Sequence, residues 1–62
     1  MDFMSMDFFK AEIDRCFRTL GKEMGDLQNR VDIKAWRDEG YISGPEYQEL
    51  AKYEEDAYRA II

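Results

Sequence analysis

The apolar residues between positions 9 and 31 recur at intervals of three and four. The row consists of Phe9, Ile13, Phe17, Leu20, Met24, Leu27 and Val31. Such intervals place side chains on one face of an amphipathic α-helix with coiled-coil-like spacing. Ser5 is a suitable N-cap, and Met4 is placed to pack against Phe9 as a hydrophobic staple. The pattern predicts a long N-terminal helix over about residues 6–38.

Two glycines inside this row allow a different architecture. Gly21 and Gly25 each cost about 1 kcal/mol relative to alanine in a helix interior, so together they would suffice to end one helix and begin another. Their Gly-x-x-x-Gly spacing is also typical of a close helix approach or of a bend. The row keeps its phase from Leu20 to Leu27, which favours one continuous helix. The alternative is a three-helix bundle with a break near Gly21–Gly25.

The segment 39–43 predicts a corner between helices, followed by a shorter C-terminal helix over about residues 44–61. Glycine adopts the left-handed conformation that ends a helix, serine caps the next one, and glutamate three residues later completes a capping box. Proline is tolerated in the first turn, where its missing N–H is not needed. The corner residues are Gly40, Ile42, Ser43, Pro45, Glu46 and Tyr47.

Residues 33–53, IKAWRDEGYISGPEYQELAKY, resemble the SHOCT family of short helical domains. The family pattern is an apolar helix end followed by Gly-x-Ile-Ser/Thr-x-x-Glu-Phe/Tyr. The matching positions are Ile33, Trp36, Gly40, Ile42, Ser43, Glu46 and Tyr47. The long N-terminal helix and the acidic continuation to Ile62 depart from that pattern. The resemblance implies a non-enzymatic helical module that supports association.

The two helices have unequal lengths, which has a consequence for the fold. At 1.5 Å per residue they span about 50 Å and about 27 Å, so the second covers only part of the first. We therefore expect an all-α fold in which residues 1–62 form one domain, an antiparallel helical hairpin that dimerises into a four-helix bundle. The residues expected to make the self-association surface are Phe8, Phe9, Ile13, Phe17, Leu20 and Met24.

Composition excludes several chemistries. The 62 residues contain no histidine and one cysteine, Cys16, so neither a disulfide within the chain nor a zinc site of His and Cys ligands is expected. Without a histidine to activate it, Cys16 is not expected to act as a nucleophile. A calcium loop ending at the corner would need oxygen ligands where Ala35 and Arg37 stand. We predict no enzyme activity, no metal and no cofactor.

The net charge of the chain, -5, favours either a basic protein partner or solubility alone. The acidic excess lies in residues 38–62, and it disfavours nucleic acid and anionic membranes. Adjacent Glu54 and Glu55 suggest a solvated face. No apolar run approaches the ~20 residues of a membrane span, and the N-terminus lacks the basic region of a signal peptide, so we expect a cytoplasmic protein.

These features predict a small acidic module for protein–protein interaction. It would act as an inhibitor or adaptor, of the kind that phages and mobile elements encode, by binding and occluding a partner protein. The alternative is a structural oligomerisation module of a larger assembly. The residues expected to bind the partner are Ile33, Trp36, Glu49 and Asp56.

Overall fold

A computed structural model describes residues 5–62 as three helices packed around one core. Helix α1 spans Met6–Leu20, α2 spans Lys22–Asp38 and α3 spans Gly44–Ala60. Each helix packs on both others. Met4, the predicted staple residue, lies outside the described residues.

Side-chain contacts fix the relative directions of the helices. The rings of Phe9 and Trp36, at opposite ends of their helices, have centroids 4.7 Å apart, so α1 and α2 run antiparallel. The Tyr53 hydroxyl donates to Asp14 at 2.8 Å, and Lys10 pairs with Glu49 at 3.2 Å. Asp14 follows Lys10 by one turn in α1, and Tyr53 follows Glu49 by one turn in α3. The two helices therefore run parallel. The fold is an up-down-up bundle.

The predicted two-helix hairpin is wrong because the chain reverses at Gly21. This residue has φ 87° and ψ 178°, a combination that is essentially restricted to glycine. It ends α1 by donating its N–H to the Phe17 carbonyl at 2.8 Å, and it accepts from the Gly25 N–H at 2.9 Å at the start of α2. The predicted four-helix bundle of two hairpins is wrong for the same reason, because α2 and α3 of the same chain already cover the N-terminal helix.

The second glycine of the pair lies inside α2, where it permits close helix packing. A Cβ atom added to Gly25 would lie 2.9 Å from both Cα and Cδ1 of Phe17 and 3.2 Å from the Cys16 carbonyl oxygen. Real Cβ atoms do not approach so closely. The absence of a side chain at Gly25 therefore sets how near α1 and α2 can come.

The core combines apolar residues from α1 with fewer from the other elements. Its buried members are Phe9, Ile13, Phe17, Ile33, Ile42 and Leu50. The contribution of α2 is unusually polar. The buried Asn29 donates its side-chain N–H to the Ile13 carbonyl of α1 at 3.2 Å, so this polar side chain is hydrogen-bonded inside the bundle.

The corner between α2 and α3 shows two capping motifs at the predicted residues. Gly40 has φ 84°, and the Tyr41 N–H donates to the Trp36 carbonyl at 2.9 Å, as in a Schellman motif. The Ser43 N–H donates to the Glu46 carboxylate at 2.7 Å, and the Glu46 N–H donates to the Ser43 hydroxyl at 3.3 Å. These reciprocal bonds form a capping box.

Replacement of the capping serine tests this corner. We expect Ser43→Ala to lower the free energy of unfolding by about 1 kcal/mol, because the Glu46 N–H loses its acceptor. Ser43→Asp, which keeps an acceptor oxygen, is the control and should stay close to the wild type. Urea unfolding followed by circular dichroism measures both; equal losses from the two variants would contradict the role of the side-chain bond.

Candidate protein-interaction surface

The outward face of α2 carries a row of exposed apolar side chains, Met24, Leu27 and Val31, here called the α2 stripe. Their exposed fractions are 61%, 60% and 62%. Their intervals of three and four residues place them on one side of the helix. Single exposed apolar residues are ordinary on protein surfaces, but an aligned row on one helix face is the pattern by which helices dock on partners.

The opposite face of α2 explains why the stripe points outward. Gly25, Asn29 and Ile33 face the interior and are all buried. Gly25 allows the close approach to α1, and Asn29 forms its hydrogen bond there, so this face is fixed inward by specific contacts. Leaving a side chain such as Leu27 in water forgoes about 1.5–3 kcal/mol of burial free energy. A binding partner would recover that free energy.

Charged side chains of both signs lie beside the stripe. Glu23 precedes it and accepts the Tyr58 hydroxyl at 3.0 Å. Arg30 lies at the middle of α2 and donates from Nε to Asp26 at 3.2 Å. The Arg30 side chain is 70% exposed. The stripe therefore has an acidic and a basic group on the same flank, and each of them forms a hydrogen bond within its own chain.

The residues predicted for self-association fall into two groups. Phe9, Ile13 and Phe17 are buried in the core of their own chain. Their burial leaves three members of the predicted set at the surface: Phe8, Leu20 and Met24, with exposed fractions of 47%, 45% and 61%. Of these, Met24 belongs to the α2 stripe.

The residues predicted to bind a partner are also divided. Ile33 is buried, and Trp36 is half-buried with its ring against Phe9. Glu49 and Asp56 are exposed on α3, where each forms an ion pair, Glu49 with Lys10 and Asp56 with Lys52 at 3.3 Å. The structure does not bring these four residues together into one surface.

A pair of buried carboxyl groups joins α2 to α3. Glu54 is 4% exposed and Asp26 is 8% exposed, so the expectation of a solvated Glu54 is wrong. Burial, followed by the hydrogen bond to Asp26, raises the pKa of Glu54 from 4.5 to about 8. The same hydrogen bond, together with Arg30, lowers the pKa of Asp26. A protonated Glu54 donating to an ionised Asp26 accounts for both directions.

The sequence contained a signal for the burial of Glu54. It stands four residues after Leu50 and four before Tyr58, both of which pack in the bundle, so the three share one face of α3. The neighbouring Glu55 is exposed, and two adjacent acidic residues are typical of a solvated face, so the pair gave no indication that Glu54 is buried. The Oε2 atom of Glu54 is buried, and no N–H or O–H group of residues 5–62 donates a hydrogen bond to it.

The side chains that bear on catalysis and metal binding are Cys16 and the carboxylates. Cys16 is half-buried and donates its thiol to the Gly25 carbonyl at 3.6 Å, and burial raises its pKa, which disfavours the reactive thiolate. Within residues 5–62, no group of three or more His, Cys, Asp or Glu side chains is arranged to hold a metal ion. None of the three helices is long and apolar enough to cross a membrane. The α2 stripe is therefore the best candidate site in the described part of the chain.

Comparison with models of protein families, with curated proteins and with solved structures finds no match to this chain. The resemblance of residues 33–53 to SHOCT domains stays a prediction.

Proposed function

We propose that this chain is a non-enzymatic module for protein–protein interaction that binds an apolar helix face through the α2 stripe. The single observation that carries the proposal is the outward orientation of Met24, Leu27 and Val31 on a helix whose inner face is already packed. A complementary amphipathic helix would bury the same row. Binding of this kind would let the module act as an inhibitor or adaptor by covering a surface of its partner.

The rigid attachment of α2 supports this function. Its inner face is held to α1 through Gly25 and Asn29, and to α3 through Asp26 and Glu54. A stripe on a helix fixed at several points loses little conformational entropy when a partner binds. A reducing compartment such as the cytoplasm belongs to the same proposal, because the chain has one cysteine and its thiol is hydrogen-bonded within the fold.

Capture of a partner from a cell extract tests the use of the stripe. The immobilised chain should retain one stoichiometric protein, and Leu27→Glu should weaken that capture by about tenfold or more because a charge enters an apolar contact. Leu27 is exposed, so the variant should keep its helix content. Ile62→Glu is the matched control, since it also places a charge on an exposed apolar residue, outside the stripe.

Equal capture by wild type and Leu27→Glu would contradict the proposed surface. Capture that is lost equally in Leu27→Glu and Ile62→Glu would show that added negative charge, and not the stripe, controls binding. The alternative function is a structural oligomerisation module. It is supported by the acidic and basic side chains, Glu23 and Arg30, that lie on the same flank of the stripe.

A further inference from the structure

We infer that one occupant of the α2 stripe is a second copy of this chain, bound with the two α2 helices antiparallel. The inference rests on the proposed function, since it uses the same surface and specifies the partner. The stripe residues Met24 and Leu27 have the three-residue interval of the two alternating core positions in a coiled coil. In an antiparallel pair, the first core position of one helix lies opposite the second core position of the other helix. Met24 of each copy then faces Leu27 of the other.

In that register the flanking charges are complementary. Glu23 immediately precedes Met24, and Arg30 follows Leu27 by three residues, so both lie on the same flank of the stripe. Antiparallel helices bring like flanks together. Glu23 of each copy therefore lies within about one helical turn of Arg30 of the other copy. Twofold symmetry produces this contact twice.

A parallel pair would not use these charges. Parallel helices bring opposite flanks together, and the residues then next to Glu23 and Arg30 would be Gln28 and Ala35 of the other copy. Neither residue carries a charge. The positions of Glu23 and Arg30 therefore select the antiparallel arrangement.

Both charged side chains are available for contact with another chain. Arg30 uses Nε for its bond to Asp26, and its side chain is 70% exposed, which leaves the end of the guanidinium at the surface. Glu23 is exposed while its carboxylate accepts the Tyr58 hydroxyl. Contacts within the chain thus hold both groups near the stripe before association, which lowers the entropy lost on pairing.

The charge of α2 also permits self-association. The whole chain has a net charge of -5, but the bases and acids of α2 are equal in number. The bases are Lys22, Arg30, Lys34 and Arg37, and the acids are Glu23, Asp26, Asp32 and Asp38. Two copies meeting through α2 therefore bring together helices that carry no net charge.

Sedimentation equilibrium of the full chain tests the dimer. We expect a reversible monomer–dimer equilibrium in which Leu27→Glu weakens association by about tenfold or more, whereas Ile62→Glu leaves it unchanged. Circular dichroism should show the same helix content in all three proteins. A wild type that stays at the 7.4 kDa of one chain up to about 1 mM, a concentration matching only the weakest association, would overturn the inference. A dimer that is unaffected by Leu27→Glu would overturn it as well.

Charge exchange tests the antiparallel register. Glu23→Arg and Arg30→Glu should each weaken the homodimer by about tenfold, because like charges then meet twice. An equimolar mixture of the two variants restores both opposite-charge contacts and should form a heterodimer about as tight as the wild-type dimer. A mixture that associates no better than the separate variants would overturn the antiparallel arrangement. If Arg30→Glu, which faces Asp26 and Glu54, fails to fold, Arg30→Gln with Glu23→Gln replaces the pair, and the loss of the salt dependence of association becomes the measured result.

The outcomes separate this inference from the function on which it rests. A monomeric chain whose capture of another protein still depends on Leu27 would overturn the self-association and retain the proposed function. If neither self-association nor capture depends on Leu27, both fail. If both depend on it, the second copy and the captured protein should compete for the α2 stripe. Adding free chain should then reduce capture by the immobilised chain.

Discussion

Gly25→Ala should destabilise the protein, although alanine is the better helix former. In an isolated helix the substitution would add about 1 kcal/mol of stability. Here the new methyl group would lie 2.9 Å from the Phe17 Cα atom, which belongs to the backbone and moves only if α1 and α2 separate. We expect Gly25→Ala to lower the free energy of unfolding by about 1–2 kcal/mol, and Gly25→Val by more than about 3 kcal/mol.

The matched controls for this prediction are Gly44→Ala and Gly44→Val. Gly44 is also the site of a helical glycine, but a Cβ atom there would meet nothing within 4 Å. Both control variants should stay within about 0.5 kcal/mol of the wild type, as surface substitutions usually do. Chemical denaturation monitored at 222 nm measures all four. A gain in stability from Gly25→Ala would indicate that Gly25 lies on the free surface of a continuous helix, which would contradict the three-helix fold.

The helix ends could be predicted from sequence because they depend on neighbouring residues. Ser5 accepts from the Phe8 N–H at 3.4 Å, and the bonds of Ser43 and Glu46 involve residues three apart. Local chemistry of this kind is specified by a few consecutive residues. Tertiary packing does not have to be known in order to place such caps.

The break at Gly21 could not be predicted from the apolar pattern, because phase continuity has two explanations. The row from Phe9 to Val31 keeps its spacing across Gly21, as a continuous helix would. In the structure the first part of the row is buried within the chain and the second part forms the exposed α2 stripe. Periodicity shows which residues share a helix face, but it does not show whether the same partner covers all of them.

The same division of the row explains why the predicted binding residues of α2 do not lie on its outer face. Ile33 and Trp36 lie away from the apolar row, on a side that a continuous helix with a buried row would leave at the surface. Since the row points outward in α2, the side away from it is the inner side, and Ile33 is buried there. An error in the position of one reversal thus exchanges the inner and outer faces of a whole helix.

The free energy of unfolding should fall as the pH rises from about 5 to about 8, because folding keeps a proton on Glu54. The pKa of this group is about 8 in the folded protein, against 4.5 as its ordinary value. Between these values the unfolded chain has released the proton that the folded chain retains, so raising the pH favours unfolding. The stabilisation is complete below pH 4.5 and is lost as the pH passes through 8. The difference between the two pKa values corresponds to about 5 kcal/mol.

Asp26 acts in the opposite direction at lower pH. Its pKa is lowered by the hydrogen bond from Glu54 and then by Arg30, so its contribution is present above the ordinary value of 3.8 and is lost as the pH falls below it. The two groups together place the most stable pH between about 4 and 5. Neither group alone would produce that maximum.

Glu54→Gln should remove the loss of stability at higher pH. Glutamine is neutral at every pH and can donate an N–H to the Asp26 carboxylate, as the protonated Glu54 does. At pH 8 we expect the variant to be more stable than the wild type by about 3 kcal/mol, whereas at pH 5 the two should be nearly equal. Glu55→Gln is the matched control, because Glu55 is exposed and pairs only across the surface with Arg59 at 3.5 Å. Thermal and urea unfolding from pH 4 to pH 9 measure all three proteins. If Glu54→Gln and Glu55→Gln keep the same pH dependence as the wild type, Glu54 is ionised in the folded protein, and the packing of α2 on α3 around it must differ from the one described.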